Sequence, residues 1–291
     1  MKVLQFLLAS ILLATVAVGE EPDIHKPEVD KSAYHLFNPT PSQYLRDMAI
    51  DGPGRTESAY TVDAGHFQIE MTLFSYSAYK ETSDGVTYYQ EYWAFAPVNL
   101  KIGLLNRLDL QLVLEPYNLA YEHKDDGYFQ AKHRGFGDTT LRVKYNLWGN
   151  DRGRTALAVM PYVKFPTGAE GLGNSSIEGG LILPFEADLP GSFYLGLTTR
   201  FEAERNFGEP GYHANFGNSI LLGRDLFRHL SGYVEFYSLV SLERDAGWLG
   251  TFDTGLSYAL TKNVQLNAGV NLGVTRSADQ WNPFVSFAWR F

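Results

Sequence analysis

The chain of 291 residues contains no cysteine. Disulfides, thiolate metal sites and lipid attachment through an N-terminal cysteine are thereby excluded. Long apolar runs are absent after residue 19, and nothing there approaches the ~20 residues that a transmembrane helix needs. Basic residues are the scarcer charge, 24 Lys and Arg against 33 Asp and Glu for a net charge of −9. That balance argues against a nucleic-acid partner, which needs basic surface. No phosphate loop is present, since the glycines between Gly168 and Gly173 have neither the GxGxxG spacing nor a following Lys-Ser/Thr pair. The histidines, at 25, 35, 66, 123, 133, 213 and 229, form no HExxH or other ligand cluster. His213 with Ser219 is the one hydrolase-like pair, and on one strand they would lie roughly 20 Å apart. The sequence therefore carries no expectation of an enzyme, a cofactor or a metal. Asp125-Asp126 reads as a solvated loop.

What is present is alternation. From His66 onward the chain divides into about twelve segments of about ten residues with a period of two, the length of a tilted barrel strand. Leu108, Leu110, Leu112 and Leu114 alternate with Asp109, Gln111, Val113 and Glu115. Phe193, Leu195, Leu197 and Phe201 alternate with Arg200, Glu202 and Glu204, and Val264 to Val274 repeats the pattern against Gln265, Asn267 and Asn271. Buried parallel strands would be apolar on both faces, so an α/β fold is not expected. Connections alternate as well. Short ones fall near 105–106, 149–153, 188–191, 224–229 and 260–263, and longer ones at 77–87, 118–134, 166–175, 206–211, 243–247 and 276–280. Short turns on one side and longer loops on the other is the arrangement of outer-membrane barrels. Aromatics, 14% of the chain, cluster where such strands would cross the headgroup levels, as at Tyr76, Tyr88 to Trp93, Trp148, Trp248 and Trp281.

The two ends agree with that address. Lys2 precedes an apolar run to Val18 and small residues at Ala17 and Gly19, the form of a secretory signal peptide with cleavage near Gly19. Trp281, Pro283, Val285, Phe287, Trp289 and Phe291 put one apolar face on a final strand, with Asn282, Ser286 and Arg290 on the other. Exposed, such a strand would invite aggregation, so it must be paired. Phe291 resembles the terminal aromatic that serves outer-membrane barrels as an assembly signal. Residues 20–64 break the pattern. They hold several prolines and, from Thr40 to Gln43, a capping-box signal for a helix of about two turns. The expected organisation is a signal peptide over 1–19, an N-terminal periplasmic arm or plug over 20–64, and an all-β, antiparallel transmembrane barrel of about 12 strands over 65–291.

The stretches Phe37 to Pro41, Leu45 to Asp47 and Asp51 to Glu70 resemble the N-terminal part of a family of outer-membrane barrels. So do Gly135 to Asp138, Gly179 to Pro184, Gly232 to Glu235 and Thr261 to Arg276. That family is described as transporters or as belonging to a meta-pathway of phenol degradation. The resemblance spans almost everything after residue 19 and implies an outer-membrane barrel that passes small molecules. The family pattern has Arg-Pro-Asp at Gly52-Pro53-Gly54 and Pro at Ala59.

Read as a barrel, the alternation points a set of charged side chains inward: Glu70, Asp109, Glu115, Glu178, Glu202, Glu204, Glu235 and Asp253 with Arg142, Lys144, Lys164 and Arg200. In a narrow barrel these either pair into a filling or line a slim channel. The expected function is passive uptake of small molecules across the bacterial outer membrane, with hydrophobic or aromatic compounds as the class that the resemblance suggests. The alternative is a closed structural or adhesive barrel. Expected partners are outer-membrane lipid and lipopolysaccharide, the outer-membrane assembly machinery and a small-molecule permeant.

Overall fold

The computed structural model describes residues 29–291 apart from 53, 84–85, 126–128 and 152. The expected signal peptide and the first part of the arm lie outside the described residues. Fifteen strands form one sheet: β1 (Phe67–Ser83), β2 (Val86–Phe95), β3 (Val98–Leu105), β4 (Leu108–Leu114), β5 (Tyr117–Lys124), β6 (Phe129–Gly135), β7 (Thr139–Trp148), β8 (Thr155–Phe165), β9 (Glu178–Leu189), β10 (Phe193–Arg205), β11 (Tyr212–Phe227), β12 (Leu230–Ser241), β13 (Leu249–Thr261), β14 (Val264–Gly273) and β15 (Trp281–Arg290). Pairing of β15 with β1 closes the sheet on itself. The wall has twelve strands, because β2 with β3, β4 with β5, and β6 with β7 are each one strand interrupted once.

Those interruptions lie side by side, since Phe95 faces Tyr117 above the break while Val98 faces Leu114 below it. Pro97 and Pro116 supply two of them, because a proline has no N–H to give a ladder. Ala96 adopts a positive φ of 55° at the first. Beyond the breaks, β6 pairs only with β5. Its free side meets the 166–177 loop instead, through the Ala169 N–H to the Phe136 carbonyl at 2.8 Å and His133 Nδ1 against the Glu170 carbonyl at 3.0 Å.

The chain closes at the end that carries the short turns. There the Phe67 N–H donates to the Phe291 carbonyl at 3.0 Å and the Phe291 N–H returns the bond at 2.9 Å. Two stretches expected as long loops, 77–87 and 118–134, are instead mostly strand: β1 and β2 remain laddered from Phe74 with Phe95 out to Ser83 with Val86, and β5 pairs β6. Aromatic and polar side chains alternate through both, so their backbones satisfy one another far past the membrane level. The long connections at that end are 166–177, 206–211, 242–248 and 274–280.

Polarity is inside out relative to a soluble protein. Lys144, Asp109 and Asp253 are 0% exposed and Glu235 is 1%, while Leu256 is 50% and Trp289 44% exposed on the outer face. Large apolar groups facing outward are stable only against lipid. Aromatics ring both ends of that band, with Trp148, Trp289 and Phe291 near the short turns and Trp93, Trp248 and Trp281 near the long loops.

The two-turn helix expected after Thr40 does not form. A single 3-10 turn spans Ser42–Tyr44, Pro41 stands at its cap without a side-chain bond, and Leu45 is already extended. Tertiary partners take the groups that a helix would use. The Thr40 N–H donates to the Ala64 carbonyl at 2.9 Å, and the Arg46 N–H donates to the Asp63 carboxylate at 3.0 Å.

Candidate functional site: a lumen with a loop inside it

Residues 46–63 enter the barrel from the short-turn end, reach across it and come back. Both feet of this loop stand together: Arg46 lies 3.4 Å from Asp63, and Arg46 and Lys31 lie 3.0 and 2.7 Å from Asp151 in the turn after β7. Arg290 of β15 faces the same Asp63 at 3.5 Å. Gly103 is required here, since a Cβ would come within 2.1 Å of the Asp63 carbonyl oxygen. Burial works against a charged Asp151, but Arg46 and Lys31 outweigh it and hold its carboxyl below the usual range.

Deeper in, Asp51 sits between Lys101 of β3, at 2.6 Å, and Lys144 of β7, with which it also pairs. Burial alone would raise the Asp51 carboxyl, and the two ammonium groups hold it well below its ordinary value instead. Lys101 pairs in addition with Glu70. The wall also receives the loop's backbone: Asp109 accepts the Val62 N–H at 3.0 Å, and Glu186 accepts the Ala59 N–H at 2.8 Å and the Ser58 hydroxyl at 2.7 Å. Glu57 meets Arg142 at 3.1 Å and Arg200 at 3.3 Å. At the tip, Glu235 of β12 accepts the Arg55 N–H at 2.9 Å and the Thr56 hydroxyl at 3.0 Å. The loop is thus fastened to β3, β4, β7, β9, β10, β12 and β15, nearly the whole circumference.

The remaining charges expected to face inward lie level with the loop tip, as Asp253 does, or nearer the long-loop end. Lys164 pairs with Glu178 at 2.5 Å. Glu202 accepts the Tyr162 hydroxyl at 2.8 Å and stands 3.9 Å from Arg200. Glu204 accepts from Asn215 at 2.8 Å, Glu115 from Asn118 at 3.1 Å and Asp253 from Thr251 at 3.0 Å. These three acids have no cation within ion-pair distance among the described residues, so this end of the lumen carries excess negative charge. Three inward tyrosines, Tyr92, Tyr162 and Tyr237, share it, while Tyr194 and Tyr233 lie toward the short-turn end.

By their contacts the twelve sequence-selected residues fall into two groups. Glu70, Asp109, Arg142, Lys144, Arg200 and Glu235 hold the loop or the groups that hold it, while Glu115, Lys164, Glu178, Glu202, Glu204 and Asp253 do not. Sequence reasoning missed the loop's own Asp51, Glu57 and Asp63, which no periodicity marks. It also missed Lys101, although the apolar neighbours Leu100 and Ile102 carry the same alternating signal. His213 and Ser219 do not meet: His213 bonds Asn206, and Ser219 bonds Thr56 of the loop. Phe291, the expected assembly signal, stacks on Phe67 with ring centroids 5.7 Å apart. No group of metal-ligating side chains occurs among the described residues.

Residues 50–291 match the model of the family described as "Putative MetA-pathway of phenol degradation". The chain belongs to that family. In solved structures its likeness is one of fold. The COG4313 outer membrane channel from Pseudomonas putida F1 is 13% identical with a TM-score of 0.56, over 87% of this chain and 99% of that one. The beta domain of the Bordetella autotransporter Brka is 13% identical with a TM-score of 0.50, over 78% of this chain and 99% of that one. Comparison with curated proteins gives no match. As a member of the MetA-pathway family with this closed, lipid-facing barrel, the protein resides in the bacterial outer membrane.

Proposed function

We propose that the protein is a passive outer-membrane channel for small molecules in which the 46–63 loop is the barrier. The observation that carries this reading is that the lumen is crossed by a loop fastened through side chains and not by the wall itself. A wall folded inward would be permanent, whereas ion pairs and hydrogen bonds of a loop exchange. The family description, together with the inward tyrosines, favours aromatic compounds as permeants, because aromatic rings stack on tyrosine faces and leave its hydroxyl free to bond. The acids beyond the loop raise the local concentration of cations.

Planar-bilayer recordings on the full-length protein and on a variant with residues 50–58 replaced by Gly and Ser test the reading. The variant is expected to conduct more than the parent. In liposomes, it should also admit phenol-sized aromatic solutes faster than sugars of equal mass. A variant as silent as its parent would favour the closed structural barrel.

A further inference from the structure

The loop tip presents a cation to a site the wall has already built. Arg55 lies with its guanidinium carbon 5.2 Å from the ring centroid of Tyr237, and its Nε is buried without a hydrogen-bond partner. Beside it stand Glu235 and Asp253, which are register partners on β12 and β13 and are both within electrostatic reach of its charge. Two carboxylates side by side repel unless a cation lies between them. Glu235 is occupied by the loop's backbone N–H and by Thr56. Asp253 takes nothing from the loop: it is 0% exposed, its Oδ2 accepts from Thr251, and its Oδ1 has no partner. Neither has the Tyr233 hydroxyl, two positions before Glu235 on the same face. The site thus has an aromatic face, two acids and two unfilled polar atoms, and the cation over its ring is tethered through a backbone that Arg200, a second cation near Tyr237, fixes by donating to the Arg55 carbonyl at 3.1 Å.

We propose that Tyr237, Asp253 and Glu235 form a binding site for planar organic cations such as amidinium or guanidinium compounds, and that Arg55 occupies it as a built-in competitor. A permeant of this class arriving through the acidic outer half of the lumen takes the place of the Arg55 side chain. Displacing it removes the cation that offsets Glu235 and Asp253 under the tip, and the loop is loosened from β12. A cation over a tyrosine face, with two acids beside it, is bound more tightly than its neutral isostere.

The proposal rests on the channel reading, and its test separates the two. Calorimetric titration of the full-length protein in detergent uses benzamidinium and its neutral counterpart benzamide as probes. Wild type is expected to bind benzamidinium weakly, and Arg55→Ala to bind it about tenfold more tightly, a difference of ~1.4 kcal/mol. Asp253→Asn in the Arg55→Ala background should abolish that gain. If the Asp253 variant loses its heat-modifiable gel migration, Tyr237→Leu in the same background serves instead and should weaken binding severalfold. Equal affinity of wild type and Arg55→Ala for benzamidinium, or benzamide binding as well as benzamidinium, would overturn the proposal. The expected binding pattern in a barrel that never conducts would uphold the site and remove the channel. Conduction without charge-dependent binding would do the reverse.

Discussion

The guanidinium of Arg290 lies 3.5 Å from the carboxylate of Asp63, so the closing strand and the foot of the luminal loop share one ion pair. Asp63 also faces Lys31 and Arg46. Closure of the wall and seating of the loop are therefore one event at this end of the barrel.

Deleting Phe291, or replacing it with Ser, is expected to impair insertion while leaving synthesis and export intact. Deletion removes two backbone bonds to Phe67 and the ring pair, the latter worth about 0.5–1.5 kcal/mol. The Ser variant keeps the backbone bonds and should show the milder defect. Heat-modifiable gel migration reads both; unchanged folding after deletion would refute this role for the terminus.

Asp51→Ala leaves Lys101 and Lys144 buried with Glu70 as the remaining ion-pair partner of Lys101. Breaking a buried pair from one side costs about 3–5 kcal/mol. The variant should unfold from the heat-modifiable form at a lower temperature. Adding Lys144→Met should restore part of the loss, which a purely steric role for Asp51 would not allow.

Glu204 has an asparagine but no cation beside it, so Glu204→Gln alters the charge of the lumen without breaking an ion pair. It should lower the preference of the pore for cations, and Glu202→Gln should add to the effect. Reversal potentials across a salt gradient measure this. An anion-selective parent, or selectivity indifferent to both changes, would end the acidic-lumen reading.

Acid should release the arm, and the direction follows from Asp51 and Asp151. Their carboxyls are held below the ordinary range when folded. The unfolded arm thus takes up protons first, and the stabilisation they provide is complete above about pH 4, then lost as pH falls through the depressed folded values. A dye on Ser32→Cys, unique in a chain without cysteine, should keep high anisotropy from neutral pH down to about 4 and lose it below. Anisotropy that stays high well below about pH 4 would refute this role for the two carboxylates.

The wall was legible wherever a strand has one face toward lipid. From β7 to β15 outward apolar residues mostly alternate with inward polar ones, Ala156, Ala158, Met160, Ile182 and Phe284 being buried apolar exceptions. The interrupted strands were harder, since 77–87 and 118–134 were expected as loops although strand pairing runs through both. The loop was not legible at all. Its partners lie 93 positions away for Asp51 with Lys144 and 180 for Arg55 with Glu235, and such pairing leaves no local pattern. The failed helix after Thr40 has the same cause, because Asp63 outbids the next helical turn for the Arg46 N–H.

The luminal segment is a bight and not a thread, because Arg46 and Asp63 stand at the same mouth. No chain terminus has to pass through the cylinder for it to leave. None of the neighbour-to-neighbour wall ladders uses its amides, so it can withdraw past the short turns and return while every rung between strands stays made. Whatever holds residues 29–45 on that side therefore has a leash on the interior.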